Sequence, residues 1–176
     1  LARLGEHAAE RVAILKARAR DADAPDTRAT AWRAVLDASR DDEEAFMVLR
    51  EVYRQREDWP LLLKLLERQI EVVTESAEHA VLLYEMGQVH EWADRDAEAE
   101  ELYGRSFERN GNESARKALW NLLLKNGKFE QWARAAKSLA DREEPVARME
   151  GYRTILKTLA EKMATMGPAF EFCVDM

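Results

Sequence analysis

The sequence has little of several residue types, and each shortage excludes a class of structure or chemistry. It contains a single cysteine, Cys173, which excludes an internal disulfide and a cysteine-based zinc cage. No apolar run of about 18 residues occurs, so no membrane-spanning helix is predicted. Only seven glycines and four prolines occur, which leaves little sequence for long loops. Cysteine usage leaves the compartment open: it fits the cytoplasm, which we favour, and also a cysteine-poor periplasmic protein.

Charge is unevenly distributed along the chain. Residues 41–113 carry 20 acidic and 8 basic side chains, whereas residues 1–40 and 114–176 have net charges of +2 and +3. Because a nucleic-acid backbone requires a basic stripe, nucleic acid is not expected as a partner. An acidic centre favours a cationic protein segment. The same acids also suit the solvated outer faces of helices, and both interpretations stay open.

Turn signals divide the sequence into segments of about 12 to 20 residues with apolar spacings of three and four. No segment shows sustained period-two alternation, so the sequence predicts an all-helical chain. The predicted helices are about 5–21, 26–39, 43–56, 59–74, 77–93, 96–109, 113–126, 129–142 and 146–166. Asp26 or Thr27 is expected to cap the second helix, and Asp58 the fourth. Gly111 and Gly127 are expected to end helices in the left-handed conformation.

One spacing of large and small residues occurs three times. The blocks begin at Phe46, Leu83 and Arg116, which are 37 and then 33 residues apart. This period is typical of stacked helical hairpins of roughly 34 residues. Two sets of side chains are expected to pack between the helices. They are the small Gly87, Ala99 and Ser106, which allow close approach, and the large Leu49, Tyr53, Met86, Tyr103 and Leu119, which fill the seams.

This spacing resembles the tetratricopeptide repeat, W-x2-L-G-x2-Y followed by A-x3-F and a final proline. Residues 80–112 match it best, through Leu83, Met86, Gly87, His90, Ala99 and Tyr103, with Gly111 where the proline would stand. Residues 43–76 keep Phe46, Leu49 and Tyr53, and residues 113–146 keep Leu119, the turn 126–129 and Pro145. Bulky residues replace the small ones elsewhere: Arg50 and Trp120 at the glycine position, and Leu62 and Trp132 at the alanine position.

The resemblance implies an all-α fold of antiparallel helical hairpins stacked as a right-handed superhelix, or α-solenoid. It implies one domain over residues 1–176, with a weak repeat at 5–40, repeats at about 43–76, 80–112 and 113–146, and a capping helix at 146–166. The bulky replacements are expected either to open the packing angle between helices or to reshape the seam between them. Because the sequence begins Leu1-Ala2-Arg3 without an initiator methionine, we expect a piece of a longer chain or a processed chain.

In this family the first helix of each hairpin lines a concave groove that binds peptides or helices. The resemblance therefore implies a peptide-binding groove lined by Met47, Glu51, Arg54, Tyr84, Gln88, Glu91, Trp92, Lys117, Asn121 and Lys125. Tyr84 and Trp92, two turns apart, are expected to be anchors or to fill seams. Lys117 and Asn121 resemble half of a clamp for a chain-terminal carboxylate, but Tyr152 stands where the other half needs an asparagine.

Nothing in the sequence predicts catalysis, a metal or a cofactor. The three histidines, His7, His79 and His90, form no pair four residues apart, as a helical zinc site would need. The acidic run 41–44 lies at a helix start, where it favours the helix dipole. We therefore expect no enzyme, but a scaffold that binds a peptide or helical segment or packs within a larger assembly. The alternative is a regulatory or structural helical domain of a larger multidomain enzyme.

Overall fold

The structure, a computed structural model, describes residues 2–164. Over this range the chain forms nine α-helices and no strand, which confirms the all-helical prediction. The helices are α1 (Ala2–Arg20), α2 (Pro25–Ala38), α3 (Glu43–Gln55), α4 (Trp59–Val72), α5 (Ser76–Trp92), α6 (Asp96–Asn110), α7 (Glu113–Lys125), α8 (Phe129–Ala140) and α9 (Pro145–Ala164). The predicted end of the last helix, residue 166, lies outside the described residues. For the helices α3 to α8, the predicted and observed first and last residues agree within two positions.

Side-chain caps fix the starts of α3, α4 and α7 but not of α2; at α7 the Asn112 side chain accepts a hydrogen bond from the Ala115 amide at 3.2 Å. The Asp42 carboxylate accepts a hydrogen bond from the Ala45 amide at 3.0 Å, and the Asp58 carboxylate accepts one from the Leu61 amide at 3.3 Å. The predicted cap at Asp58 is confirmed. The predicted cap of α2 by Asp26 or Thr27 is wrong, because α2 begins at Pro25 and its N-cap residue makes no side-chain capping bond. Proline suits the first helical position, so the helix starts one residue earlier.

The turns after α3, α5 and α7 share one backbone geometry. Each contains a left-handed residue: Glu57 with φ 54°, Asp94 with φ 56° and Gly127 with φ 71°. In each turn the backbone amide of the residue after the left-handed one donates a hydrogen bond to a carbonyl in the last turn of the helix. This is the Schellman arrangement. These bonds join Asp58 to Tyr53, Arg95 to His90 and Lys128 to Leu123, at 2.9, 2.9 and 2.8 Å. The left-handed residues are 37 and 33 positions apart, as are the sequence blocks.

The chain divides into two compact units inside α7, between residues 115 and 116. In the first unit each helix from α1 to α6 packs against the next one along the chain. Ion pairs also join alternate helices, so that α1 lies beside α3, α2 beside α4 and α3 beside α5. These pairs are Lys16 to Glu44 at 3.2 Å, Arg68 to Asp37 at 2.9 Å, and Arg50 to Glu85 at 3.0 Å.

Small residues bring α5 and α6 together as predicted. Gly87, Ala99 and Ser106 are all buried. A Cβ on Gly87 would lie 2.5 Å from Cε1 of the buried Tyr103 ring. The Ser106 hydroxyl donates to the Ala80 carbonyl at 2.6 Å, which closes the other end of the hairpin. Among the helix pairs of the described chain, α5 and α6 show the most extensive close approach of their backbones.

Bulky residues at the corresponding positions of the neighbouring hairpin go with a looser approach. The backbones of α3 and α4 are close over a shorter stretch than those of α5 and α6. Leu62 is fully buried there. Arg50, at the position of Gly87, extends to Glu85 of α5. The long side chain is therefore accommodated by the next hairpin rather than by its own.

The second unit is described from residue 116 to residue 164, and in it α8 packs against α9. Its core contains Leu123, Trp132, Ala133, Ala136, Ile155 and Leu159. Trp120 and Trp132, which stand at the two small positions of the repeat pattern, meet edge to face with ring centres 6.1 Å apart. The Arg116 guanidinium lies 4.3 Å from the centre of the Trp120 ring, within cation–π distance.

Candidate interaction surface

Helices α3 and α5 lie side by side and run in the same direction. Met47 and Val81 line one groove, and one turn further along both helices Arg50 Nε lies 3.0 Å from Glu85 Oε1. Because the residue numbers increase together, the two helices are parallel. Their common surface, here called the α3–α5 face, consists of Met47, Arg50, Glu51, Arg54, Val81, Tyr84, Glu85, Gln88 and Trp92. The spacing of three and four residues places these side chains on one side of each helix.

The charged groups in the middle of this face are paired with one another. Arg54 Nη2 lies 2.7 Å from Glu51 Oε2, and the Gln55 amide donates to Glu51 at 2.8 Å. Hydrogen bonds from Gln55 first and from Arg54 second lower the pKa of the Glu51 carboxyl. Burial raises the pKa of Glu85, against the opposing effect of Arg50. The middle of the face therefore presents little net charge to a partner.

Trp92 ends the face with an exposed aromatic ring. Its ring centre is 5.4 Å from that of Trp59, at the start of α4, and the two planes are tilted by 41°. Arg54 and Glu57 complete the shallow depression around the two rings. Trp59 supports one side of Trp92, and about half of Trp92 remains accessible. Such a supported aromatic side chain suits an interface anchor.

Three of the predicted groove residues of α5 are bonded within the α5–α6 hairpin. The half-buried Tyr84 ring lies 5.6 Å from the ring of Tyr103, and Gln88 donates to the Tyr84 hydroxyl at 3.1 Å. The Tyr103 hydroxyl donates to Glu91 at 2.7 Å. Burial first, and then this hydrogen bond, raise the pKa of Tyr103, so its hydroxyl stays protonated. Tyr84 and Trp92 contact different helices, so each has to be considered as a separate anchor.

The remaining predicted groove residues belong to the second unit. Lys117, Asn121 and Lys125 are exposed on α7, four residues apart. Tyr152 of α9, at the position that a complete clamp would need, hydrogen-bonds to Asp141 through its hydroxyl. The Lys137 ammonium also lies 5.8 Å from the Tyr152 ring centre. The structure therefore gives Tyr152 a role between α8 and α9.

Val81 and Glu85 belong to this surface but were not predicted from the sequence. Val81 lies three residues before Tyr84, so the helical spacing carried a signal for it. Glu85 is assigned to the surface through its ion pair with Arg50. The sequence alone shows Arg50 only as a bulky residue at a position where the repeat pattern has a small one. The pairing depends on which side of α5 faces α3, and residue spacing within one helix does not define that.

No group of three metal-ligating side chains lies close enough to hold a metal ion among the residues that the structure describes. His79 and His90 are half-buried, and burial lowers the pKa of both imidazoles. Within the described chain, Nδ1 of each has no hydrogen-bond partner. His90 thus packs at the position where the repeat pattern has tyrosine. In the described range, no helix is both long and apolar enough to cross a membrane.

No protein-family model and no curated protein matches this sequence. The likeness to tetratricopeptide repeats thus rests on residue spacing in the sequence alone. The function has to be inferred from the side chains that the helices present.

Proposed function

We propose that this protein is an interaction module that binds a peptide or helical segment of another protein along the α3–α5 face. In this proposal its helical hairpins stack as a right-handed solenoid of the tetratricopeptide type. The recurring Schellman turn supports a repeated hairpin unit. The ion pairs between alternate helices of the first unit support stacking, because they hold the first helices of successive hairpins side by side.

One observation carries the binding proposal: the α3–α5 face keeps large apolar side chains exposed. Met47 is 49% exposed, Val81 55% and Trp92 47%. In the described part of the first unit, only Ile14 on α1 is a comparably exposed large apolar residue. Three of these four side chains therefore share one face, although they come from two helices. Grouped exposed apolar side chains are typical of protein–protein contact sites.

A second candidate is packing within a larger assembly or as the helical domain of a larger multidomain enzyme. Val146, Met149 and Leu156 are exposed on α9, Val146 to 85%. Their spacing of three and seven residues places them along one side of the helix. An apolar stripe of this kind suits the contact of α9 with another helical element.

Affinity capture with mass spectrometry tests the binding proposal. The Trp92→Ala variant is expected to weaken partner binding about thirtyfold, because a tryptophan anchor at an interface commonly contributes about 2 kcal/mol or more. Ile14→Ala is the matched control, since Ile14 is as exposed but lies on α1. Thermal unfolding verifies that both variants are folded. Unchanged capture by folded Trp92→Ala would contradict the proposal, and loss through Val146→Ala and Met149→Ala alone would favour the second candidate.

A further inference from the structure

A groove with an apolar floor lies at one end of the α3–α5 face. It is formed where the starts of α3 and α5 meet the end of α4, and its volume is about 510 Å³. Its apolar lining consists of Phe46, Met47, Val73, Ala77, Val81 and Leu82. Phe46 and Leu82 are buried beneath it, whereas Met47 and Val81 are each about half exposed. The floor is therefore firmly packed, and apolar surface remains for another molecule to cover.

Among the residues that the structure describes, the charged side chains that line this groove are all acidic. They are Asp41, Glu43 and Glu78. Glu43 and Glu78 are exposed and have no ion-pair or hydrogen-bond partner among the described residues. Asp41 accepts a hydrogen bond from the neutral Ser39 hydroxyl at 2.9 Å, which leaves its charge uncompensated. This contrasts with the middle of the face, where carboxylates and guanidinium groups are paired.

We infer that this groove binds a basic amphipathic helix of a partner protein. The apolar side of that helix would cover Met47 and Val81, while its lysine or arginine side chains meet Glu43 and Glu78. The inference rests on the proposed function, because the groove continues the α3–α5 face. Charge complementarity selects this occupant: the rim would repel an acidic segment or a nucleic acid, and a purely apolar segment would leave the carboxylates without counter-charges.

The shape and chemistry of the groove favour a partner segment that is helical rather than extended. An extended peptide gains most when it adds a strand to a sheet edge, and the described chain contains no strand. A groove between helices with an apolar floor suits the apolar stripe of an incoming helix. That helix would place cationic residues on both flanks of its stripe, toward the start of α3 on one side and of α5 on the other.

Fluorescence anisotropy with a synthetic peptide tests this inference. The probe is a labelled leucine- and lysine-containing amphipathic peptide of about 15 residues, or roughly four helical turns. We expect the intact chain to bind it, and Met47→Ala with Val81→Ala to weaken binding about tenfold. Glu43→Gln with Glu78→Gln is expected to weaken binding about threefold to tenfold at low salt. That second effect should shrink as salt screens the exposed charges.

Two control variants remove the same charge, or exposed apolar side chains, at positions outside the groove. Glu98→Gln with Glu108→Gln removes the same charge from exposed residues of α6, and Glu98 also lies in a first helical turn. Ile14→Ala with Leu156→Ala removes exposed apolar residues outside the groove. Neither control is expected to change probe affinity by more than about twofold. A second probe, with glutamate in place of every lysine, is expected not to bind.

Three outcomes would overturn the inference. They are no binding of the basic probe, equal binding of the acidic probe, and equal weakening by the groove and control variants. Partner capture that still depends on Trp92 would leave the proposed function intact in each case, because Trp92 lies outside the groove. Conversely, groove-dependent probe binding together with Trp92-independent partner capture would support the inference and contradict binding along the full α3–α5 face as far as Trp92.

Discussion

At the scale of single residues, Gly87 and Tyr103 determine how closely α5 and α6 approach. The Tyr103 ring occupies the space that a side chain at position 87 would need, and its hydroxyl is held by Glu91. The ring cannot move away freely, because it is fully buried and also packs against Tyr84. A glycine is therefore required at position 87 for steric reasons, while the neighbouring hairpin tolerates Arg50 at the corresponding position.

Gly87→Ala is expected to destabilise the fold by about 1–3 kcal/mol, because the added methyl group would overlap the Tyr103 ring. Gly104→Ala is the matched control. Gly104 is also helical, and nothing lies within 4 Å of the position that its Cβ would take. Alanine there should stabilise the helix by about 0.5–1 kcal/mol. Urea unfolding of both variants measures this, and equal effects of the two substitutions would contradict the packing explanation.

His90 provides a residue-scale prediction about pH. Burial lowers the pKa of its imidazole; Glu98 and Glu67 oppose this shift, and Arg95 adds to it. A depressed folded pKa means that the stabilising contribution is complete above the ordinary value near 6.5 and is lost as pH falls below it. His90→Phe removes this titration while leaving His79 in place. Between about pH 7.5 and pH 5, the variant should lose less unfolding free energy than the parent. Parallel pH profiles would contradict this assignment.

At the scale of elements, the recurring unit is a helical hairpin with one kind of turn. The turn needs a left-handed residue, and the three hairpins supply Glu57, Asp94 and Gly127 for it. Glycine adopts this conformation without steric cost, aspartate tolerates it, and glutamate is the least suited of the three. The same backbone geometry therefore persists although the residue changes, because the hydrogen bonds at the helix end hold it in place.

Substitutions at the left-handed positions are expected to change stability in opposite directions. Glu57→Gly should stabilise the first unit by about 0.5–1 kcal/mol, and Asp94→Gly by less, because glycine relieves the backbone strain. Gly127→Ala should destabilise the second unit by about 1 kcal/mol for the converse reason. Chemical denaturation, with the unfolding of each unit followed separately, measures these changes in the free energy of unfolding. A destabilising effect of Glu57→Gly would show that its side chain matters more than its backbone.

The elements were largely predictable from the sequence, because their boundaries have local causes. Gly111 and Gly127 are left-handed as predicted, and Asp58 caps α4. The predicted start of α2, at residue 26, is wrong by one residue because Pro25 itself begins the helix. The contacts between helices were less predictable: the pair Arg50–Glu85 depends on the relative rotation of α3 and α5, which no single-helix pattern contains.

At the scale of the whole molecule, each compact unit has its own core. In the first unit, one continuous core extends from α1 to α6, and the α3–α5 face lies on its surface. This face combines paired charges in the middle, an exposed tryptophan at one end and an apolar groove with an acidic rim at the other. A packed scaffold that presents such a face is suited to binding another protein segment.

Site-specific photo-cross-linking tests binding along the α3–α5 face most directly. A benzophenone-bearing residue at Gln88 would lie on this face, whereas the same residue at Glu108 would project from the exposed side of α6. We predict that a partner protein cross-links from position 88 and not from position 108. Adding an excess of the basic amphipathic peptide reports only on whether the groove is occupied in this contact, and not on the rest of the face. Cross-linking from position 108 alone, or equally from both positions, would contradict the assignment of the binding surface to α3 and α5.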